Sequence, residues 1–300
     1  MSRGYALLVG LTSVDSNAYG GWDGRSGCWG CELDVDNIRR IVDPLGFQTT
    51  TLKTEKATGD EIIKQLDKAA KRIRPDDEFL FYFSGHGGQQ PDTSGDETDR
   101  QDETLVAYDR EVIDDELNEI WPKFNEGARL VMLSDSCNSG TNYRLMRNIS
   151  RSTPIRLSIA GPEARRGRRS QQEMRAQMIH LGGCRDGATS AGYQQGGAFT
   201  VALCNAWSEG GFQGAYKDLH RRIVELLRNE SQQVQYNEYG PVTAAFRQQR
   251  PFTIDMPGGR GEDIHSEIAE LRSKLAGCIE RVEVLERREE WVDREAPQRV

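Results

Sequence analysis

Arg129-Leu130-Val131-Met132-Leu133-Ser134-Asp135-Ser136-Cys137-Asn138-Ser139-Gly140 decides the fold. Leu130 to Leu133 is a short continuous apolar run, the pattern of a strand buried on both faces. The run stops at Ser134, and a polar stretch holding Cys137 follows. A cysteine just past the carboxyl end of a buried strand stands where α/β sheets place ligands and chemistry. Glu78–Ser84 has the same build, and Gly85-His86-Gly87-Gly88 follows it. If the two strands are parallel neighbours, His86 and Cys137 emerge side by side at one sheet edge. A thiol nucleophile with an imidazole base requires that placement.

Outward from these two strands, Tyr5–Leu11 and the Thr-rich Phe47–Leu52 read as strands. Glu32–Val42 has helical apolar spacing at Leu33, Val35, Ile38 and Ile41 and is stopped by Pro44. Thr58–Ile73 is an amphipathic helix that ends before Pro75. Strand, helix, strand, helix, strand predicts an α/β fold with a mainly parallel central sheet, right-handed crossovers and flanking helices. Further along, Thr104–Tyr108 reads as a strand, Ile113–Trp121 as a short helix, Met178–Gly182 as a strand, and Ala198–Trp207 and Tyr216–Leu227 as helices. Phe252–Ile254 reads as a last strand.

Two long polar stretches interrupt this pattern. Gln89–Asp102 is acidic, and Thr141–Arg175 lacks apolar periodicity and carries Arg165, Arg166, Arg168 and Arg169. A loop as long as the second, inside a domain, is usually functional or disordered. Pro257–Gly261 punctuates the chain. Residues 1–256 therefore read as one domain and 262–292 as a C-terminal helical extension. In the extension Ile268, Leu271, Leu275, Cys278, Val282 and Leu285 form an apolar seam. The helix either packs on its own domain or binds a partner.

The net charge of −8 argues against a nucleic-acid binder, which would show a basic footprint. No apolar run approaches the roughly 18 residues of a membrane span, and the apolar run after Met1-Ser2-Arg3-Gly4 is too short for a signal peptide. A cytoplasmic protein is expected, with its six cysteines reduced.

Ser84-Gly85-His86-Gly87 with Asp135-Ser136-Cys137-Asn138-Ser139-Gly140 resembles the catalytic pair of the caspase superfamily. Asp-Ser-Cys in place of Gln-Ala-Cys is similar to the metacaspases and their bacterial, orthocaspase-type relatives. The resemblance runs in order through Tyr5–Leu11, Gly30–Asn37, Phe79–Gly88, Gly95–Asp109, Val112–Leu117, Arg129–Gly140, Leu181–Ala191 and Gly197–Cys204. It implies a caspase-like sandwich and cysteine endopeptidase activity on protein substrates. It also implies a place in a regulated proteolytic, cell-death or defence pathway.

Taken singly, Cys137 would be a small buried hydrophobe and His86 a structural histidine. Each stands at the end of an apolar strand and near glycine, and the joint context favours a catalytic dyad. Cys137 attacks the scissile carbonyl as thiolate, and His86 protonates the leaving amine. The backbone N–H groups of Cys137 and Gly87 form the oxyanion hole. By resemblance, Cys31, Asp34, Ser84, Asp135 and Ser190 match substrate-binding positions of the primary-specificity pocket. Two carboxylates on its floor, Asp34 and Asp135, suit a guanidinium or ammonium and repel an acidic side chain. Cleavage after Arg or Lys follows. The alternative for Asp34 is a residue that only caps or solvates its helix.

Cys28-Trp29-Gly30-Cys31 invites a redox or zinc reading, but a single CxxC without a second ligand pair is weak support for it. Asp102, Asp114 and Asp115 resemble calcium ligands of calcium-dependent metacaspases. A further ligand position, seven residues past the nucleophile, holds Arg144 here. No cofactor is expected, with calcium kept as the alternative. The basic loop 141–175 is expected to be an activation loop, cut at Arg165–Arg169 by the enzyme itself or by an upstream activating protease. A rival reading is a caspase-like adaptor of weak activity that signals through its C-terminal helix.

Overall fold

The computed structural model describes residues 2–91, 101–137, 174–185, 196–228, 232–254 and 272. The chain divides into two units, Met1–Ile254 and Asp255–Val300. In the second, Arg272 alone is described, so the seam at 262–292 lies outside the described residues. So do Arg144, Ser190 and all four arginines of the 141–175 loop.

The first unit begins with β1 (Gly4–Gly10), buried along its whole length, and α1 (Cys31–Val42). β2 (Phe47–Lys53), α2 (Gly59–Arg72) and β3 (Glu78–Pro91) follow. Thr58 caps α2, its hydroxyl accepting from the Glu61 N–H at 3.2 Å. β4 (Gln101–Val106), β5 (Glu111–Ile113) and α3 (Asp114–Asn118) lead to β6 (Arg129–Cys137) and β7 (Gln177–Arg185). The unit closes with α4 (Ala198–Trp207), α5 (Tyr216–Leu226), β8 (Gln232–Tyr239) and α6 (Ala244–Gln248).

Among the described residues the sheet order is β2-β1-β3-β6-β7-β8. β8 runs antiparallel to β7, and the other neighbours on this path are parallel. Side chains alternate across a strand, so each strand feeds two cores. Leu7, Val9, Phe81, Phe83 and Met132 pack under α2 and Leu117 of α3. Leu8, Leu80, Tyr82, Val131 and Leu133 pack under α1, α4 and α5. This is the mainly parallel sheet with flanking helices that the strand pattern predicts.

Four details differ from the sequence expectation. β3 and β6 do not stop at their apolar runs: β3 continues through His86 to Pro91, and β6 continues to Cys137. The extension of β3 pairs antiparallel with β4, from Gly87↔Leu105 to Pro91↔Gln101. β8 is too polar to announce itself, since it forms the sheet margin and its described residues are half-buried. The helix expected over 113–121 shortens to α3, followed by a 3-10 turn at Trp121–Lys123 that starts beside Pro122. Phe252–Ile254 is no strand. The Phe252 N–H donates to the Tyr216 hydroxyl at 3.0 Å, and the carbonyls of Thr253 and Ile254 accept from Arg129.

Candidate active site

β3 and β6 pair in register from Glu78↔Arg129 to His86↔Cys137. The two candidate residues therefore face each other across one strand spacing, about 4.8 Å. Cys137 is described by its backbone alone.

His86 is 5% exposed, and its Nε2 lies 2.7 Å from the Gly24 carbonyl oxygen. A carbonyl only accepts, so Nε2 carries a hydrogen and Nδ1 is the nitrogen that exchanges a proton. The Trp22 ring packs against the imidazole with centroids 4.9 Å apart. Tyr19, beside Trp22 at 5.8 Å, ties this loop to the core by donating to the Ala107 carbonyl. Loop 12–27 thus fixes the tautomer and the tilt of the ring.

On the same face of the sheet, two residues before each candidate, lie Ser84 on β3 and Asp135 on β6, partners in the register. Asp34, in the first turn of α1, meets Ser84. Its Oδ2 accepts from the Ser84 hydroxyl at 2.8 Å and its Oδ1 from the Gly197 N–H at 2.7 Å. Asp34 is fully buried, and Gly30 is the cap residue of α1, so Asp34 is neither a solvated residue nor the cap. Asp135 Oδ2 accepts twice from Thr200, from its N–H at 3.0 Å and its hydroxyl at 2.8 Å. Burial first, then the charges of Asp34 and Asp135, hold the Tyr82 phenol well above its ordinary value. Burial, with Asp34 second, pushes the Cys204 thiol up to about 11. The field at this end of the sheet is negative.

Gly196 makes the close approach possible. Its φ is +121°, and a Cβ there would overlap Asp34 Oδ1. A Cβ on Gly30 would sit 2.7 Å from the Gly196 Cα. Glycine against glycine lets the start of α4 reach the start of α1.

Cys31, Asp34, Ser84, Asp135, His86 and Gly87 come together at this edge. Cys28 and Cys31 are free, buried thiols. Its hydrogen bond with Cys28, then burial, holds the Cys31 thiol well above its ordinary range. Asp114 is buried at the first residue of α3, where its Oδ1 accepts from the Asp115 N–H at 3.1 Å. The Asp102 side chain lies outside the described part. Among the described residues, no three His, Cys, Asp or Glu side chains are grouped to hold a metal. No described helix is long and apolar enough to cross a membrane.

Sequence reading missed Gly24, Trp22, Gly197, Thr200 and Tyr82. The Gly24 and Gly197 contributions are main-chain groups, which no residue type signals. Thr200 and Tyr82 read as ordinary members of an apolar helix and strand.

A sequence model of the caspase domain matches residues 3–249. Metacaspase-1 of Yarrowia lipolytica is 28% identical over 275 residues, which cover 75% of this chain and 57% of that protein. This chain thus spans little more than half the length of that relative. The crystal structure of protein GSU0716 from Geobacter sulfurreducens is 36% identical, covers 84% of this chain and 99% of its own, and superposes with a TM-score of 0.68. Caspase-1 from Spodoptera frugiperda shares the fold at 17% identity and a TM-score of 0.53, covering 83% of this chain and 92% of its own. A caspase sheet, a histidine and a cysteine in register at its edge, and a domain match over most of the length agree: the chain belongs to the caspase-domain family of cysteine peptidases and is related to the metacaspases.

Proposed function

We propose that the protein is an endopeptidase that cleaves proteins after arginine or lysine, with Cys137 as nucleophile and His86 as its proton-transfer partner. One observation carries the specificity. Two carboxylates are buried here, Asp34 at the start of α1 bonded to Ser84 of β3, and Asp135 on β6, with Asp135 two residues before the cysteine and Ser84 two before the histidine. Two residues along a strand span roughly 6.6 Å, a depth suited to a long basic side chain. The charge at that depth suits a cation and rejects an acidic residue.

The chemistry follows from the His86 tautomer. Nδ1 takes the thiol proton, and the Cys137 sulfur attacks the carbonyl carbon to form a tetrahedral oxyanion, held by the N–H groups of Cys137 and Gly87. Collapse breaks the C–N bond, and the imidazolium returns its proton to the leaving amine. Water, deprotonated by His86, then hydrolyses the thioester and restores the thiol. With this specificity, Arg165, Arg166, Arg168 and Arg169 are cleavage sites of the protein itself, and cutting there regulates activity. Residues 1–256 form the peptidase domain, and 262–292 a helix that docks on it or on a partner.

A peptide-library cleavage profile of wild type beside Cys137→Ala tests the reading. Cleavage after Arg and Lys in wild type, and turnover reduced by at least about 1,000-fold in Cys137→Ala, are expected. Efficient cleavage after acidic residues, or wild-type turnover in Cys137→Ala, overturns it. Intact-mass analysis of the same two samples reports whether fragments ending at Arg165–Arg169 form in wild type alone.

A further inference from the structure

The first turn of α4 holds both pocket carboxylates. Gly197 donates its N–H to Asp34, and Thr200 donates its N–H and its hydroxyl to one oxygen of Asp135. The Thr200 hydroxyl has a second neighbour, the Tyr82 hydroxyl at 2.6 Å. A carboxylate only accepts and a hydroxyl has one hydrogen, so the direction of the chain is fixed. Tyr82 donates to Thr200, and Thr200 donates to Asp135 Oδ2. Tyr82 and Thr200 are fully buried, and Asp135 is 4% exposed.

Two donors on one oxygen, both from a single residue of a ten-residue helix, fix the plane of the Asp135 carboxylate. Both lone pairs of Oδ2 are then used, so a guanidinium meets this carboxylate through Oδ1, and its N–H groups, fixed in one plane, depend on the orientation of that oxygen as well as on charge. A lysine ammonium is a point charge and tolerates a rotated carboxylate. Resting on the Arg/Lys pocket proposed above, we infer that Thr200, backed by Tyr82, is a positioning residue that sets the preference for arginine over lysine. It touches no substrate and acts through Asp135.

The test is the ratio of kcat/KM for matched peptides with Arg or Lys at the cleavage position. Thr200→Val keeps the shape and the backbone N–H and removes only the hydroxyl. The Arg value is expected to fall about 10-fold and the Lys value about 2-fold, so the ratio drops about 5-fold. Tyr82→Phe should move the ratio the same way by a smaller factor, and Thr200→Ser, which retains the hydroxyl, should restore it. Thermal unfolding of each variant shows whether it folds; if Thr200→Val does not, the Tyr82→Phe and Thr200→Ser ratios decide. A ratio unchanged in the folded variants, or Arg and Lys values falling equally, overturns the inference and leaves the pocket standing. Wild type that cleaves after neither Arg nor Lys overturns the pocket itself and the inference with it.

Discussion

His180 carries an imidazole into the middle of the sheet. It lies on β7, 2% exposed, with Nε2 3.1 Å from the Ser134 hydroxyl. Burial lowers its pKa from 6.5 to about 4. The unfolded chain therefore binds a proton that the folded chain refuses between those values, and stability rises with pH across that window. The contribution is fully present above about pH 6.5 and is lost as pH falls towards 4, on the order of 3 kcal/mol in all and about 2 kcal/mol by pH 5. Urea midpoints at pH 7.5, 6 and 5 should fall more steeply for wild type than for His180→Gln; equal slopes would refute the assignment. Gly196 offers a second test at this scale. Gly196→Ala forces a side chain onto Asp34 at a backbone angle that L-residues rarely adopt, so cleavage after Arg and Lys should drop by at least about 10-fold. Rates on basic peptides that match wild type would count against the close packing described. Single residues differed in how readable they were. His86 and Cys137 stand out because each follows an apolar run, His86 between two glycines and Cys137 three residues before one. His180 does not, because a polar residue inside a strand gives no sign of which neighbours will satisfy it.

Among the elements, those with strong periodicity were readable and those shaped by position were not. β1, β3 and β6 are apolar because both faces are covered, and α1 and α2 show helical spacing because one face is. β8 is polar because it closes the sheet margin, and the extensions of β3 and β6 are glycine-rich or polar because they leave the core to carry the site. Their conformation comes from partners distant in sequence, β7 for one and β4 for another. Capping belongs to this scale. Thr58→Ala removes the side-chain acceptor of α2 and should cost about 1 kcal/mol of stability without altering peptide cleavage. A denaturation midpoint unchanged from wild type would show that water replaces the cap.

For the whole first unit, the two central strands carry opposite kinds of polarity at their ends. At one end His86 pairs in register with Cys137, and at the other Glu78 pairs with Arg129. Arg129 and Glu78 are buried, 3.2 Å apart, and gather Tyr216 of α5, Gln249 after α6, and the carbonyls of Asp76 and Thr253. Burial raises the Glu78 carboxyl above its ordinary value, against the opposing pull of Arg129. A buried pair is costly to make and costlier to break from one side. Arg129→Met should destabilise by about 3–5 kcal/mol, and Arg129→Met with Glu78→Gln by clearly less. Urea denaturation of the single and double variants checks this; equal losses would mean that the pair does not act as one. Sequence alone shows Arg129 and Glu78 as charged strand ends, which are usually exposed. Their burial follows from the tail that folds back over them.

The grip of α4 on the two pocket carboxylates also sets an order of events on the ribosome. Asp135 emerges two residues before Cys137, but Thr200, which donates to it, emerges 65 residues later, a delay of roughly 3–13 s at about 5–20 residues per second. Asp34 waits far longer for Gly197. The nascent chain therefore carries its proposed nucleophile and base before it owns the means of choosing a substrate. A chain that stalls or is clipped within that interval holds the proposed nucleophile and base without the groups that bond Asp34 and Asp135, so the proposed substrate choice arrives only with translation of the segment around residue 200.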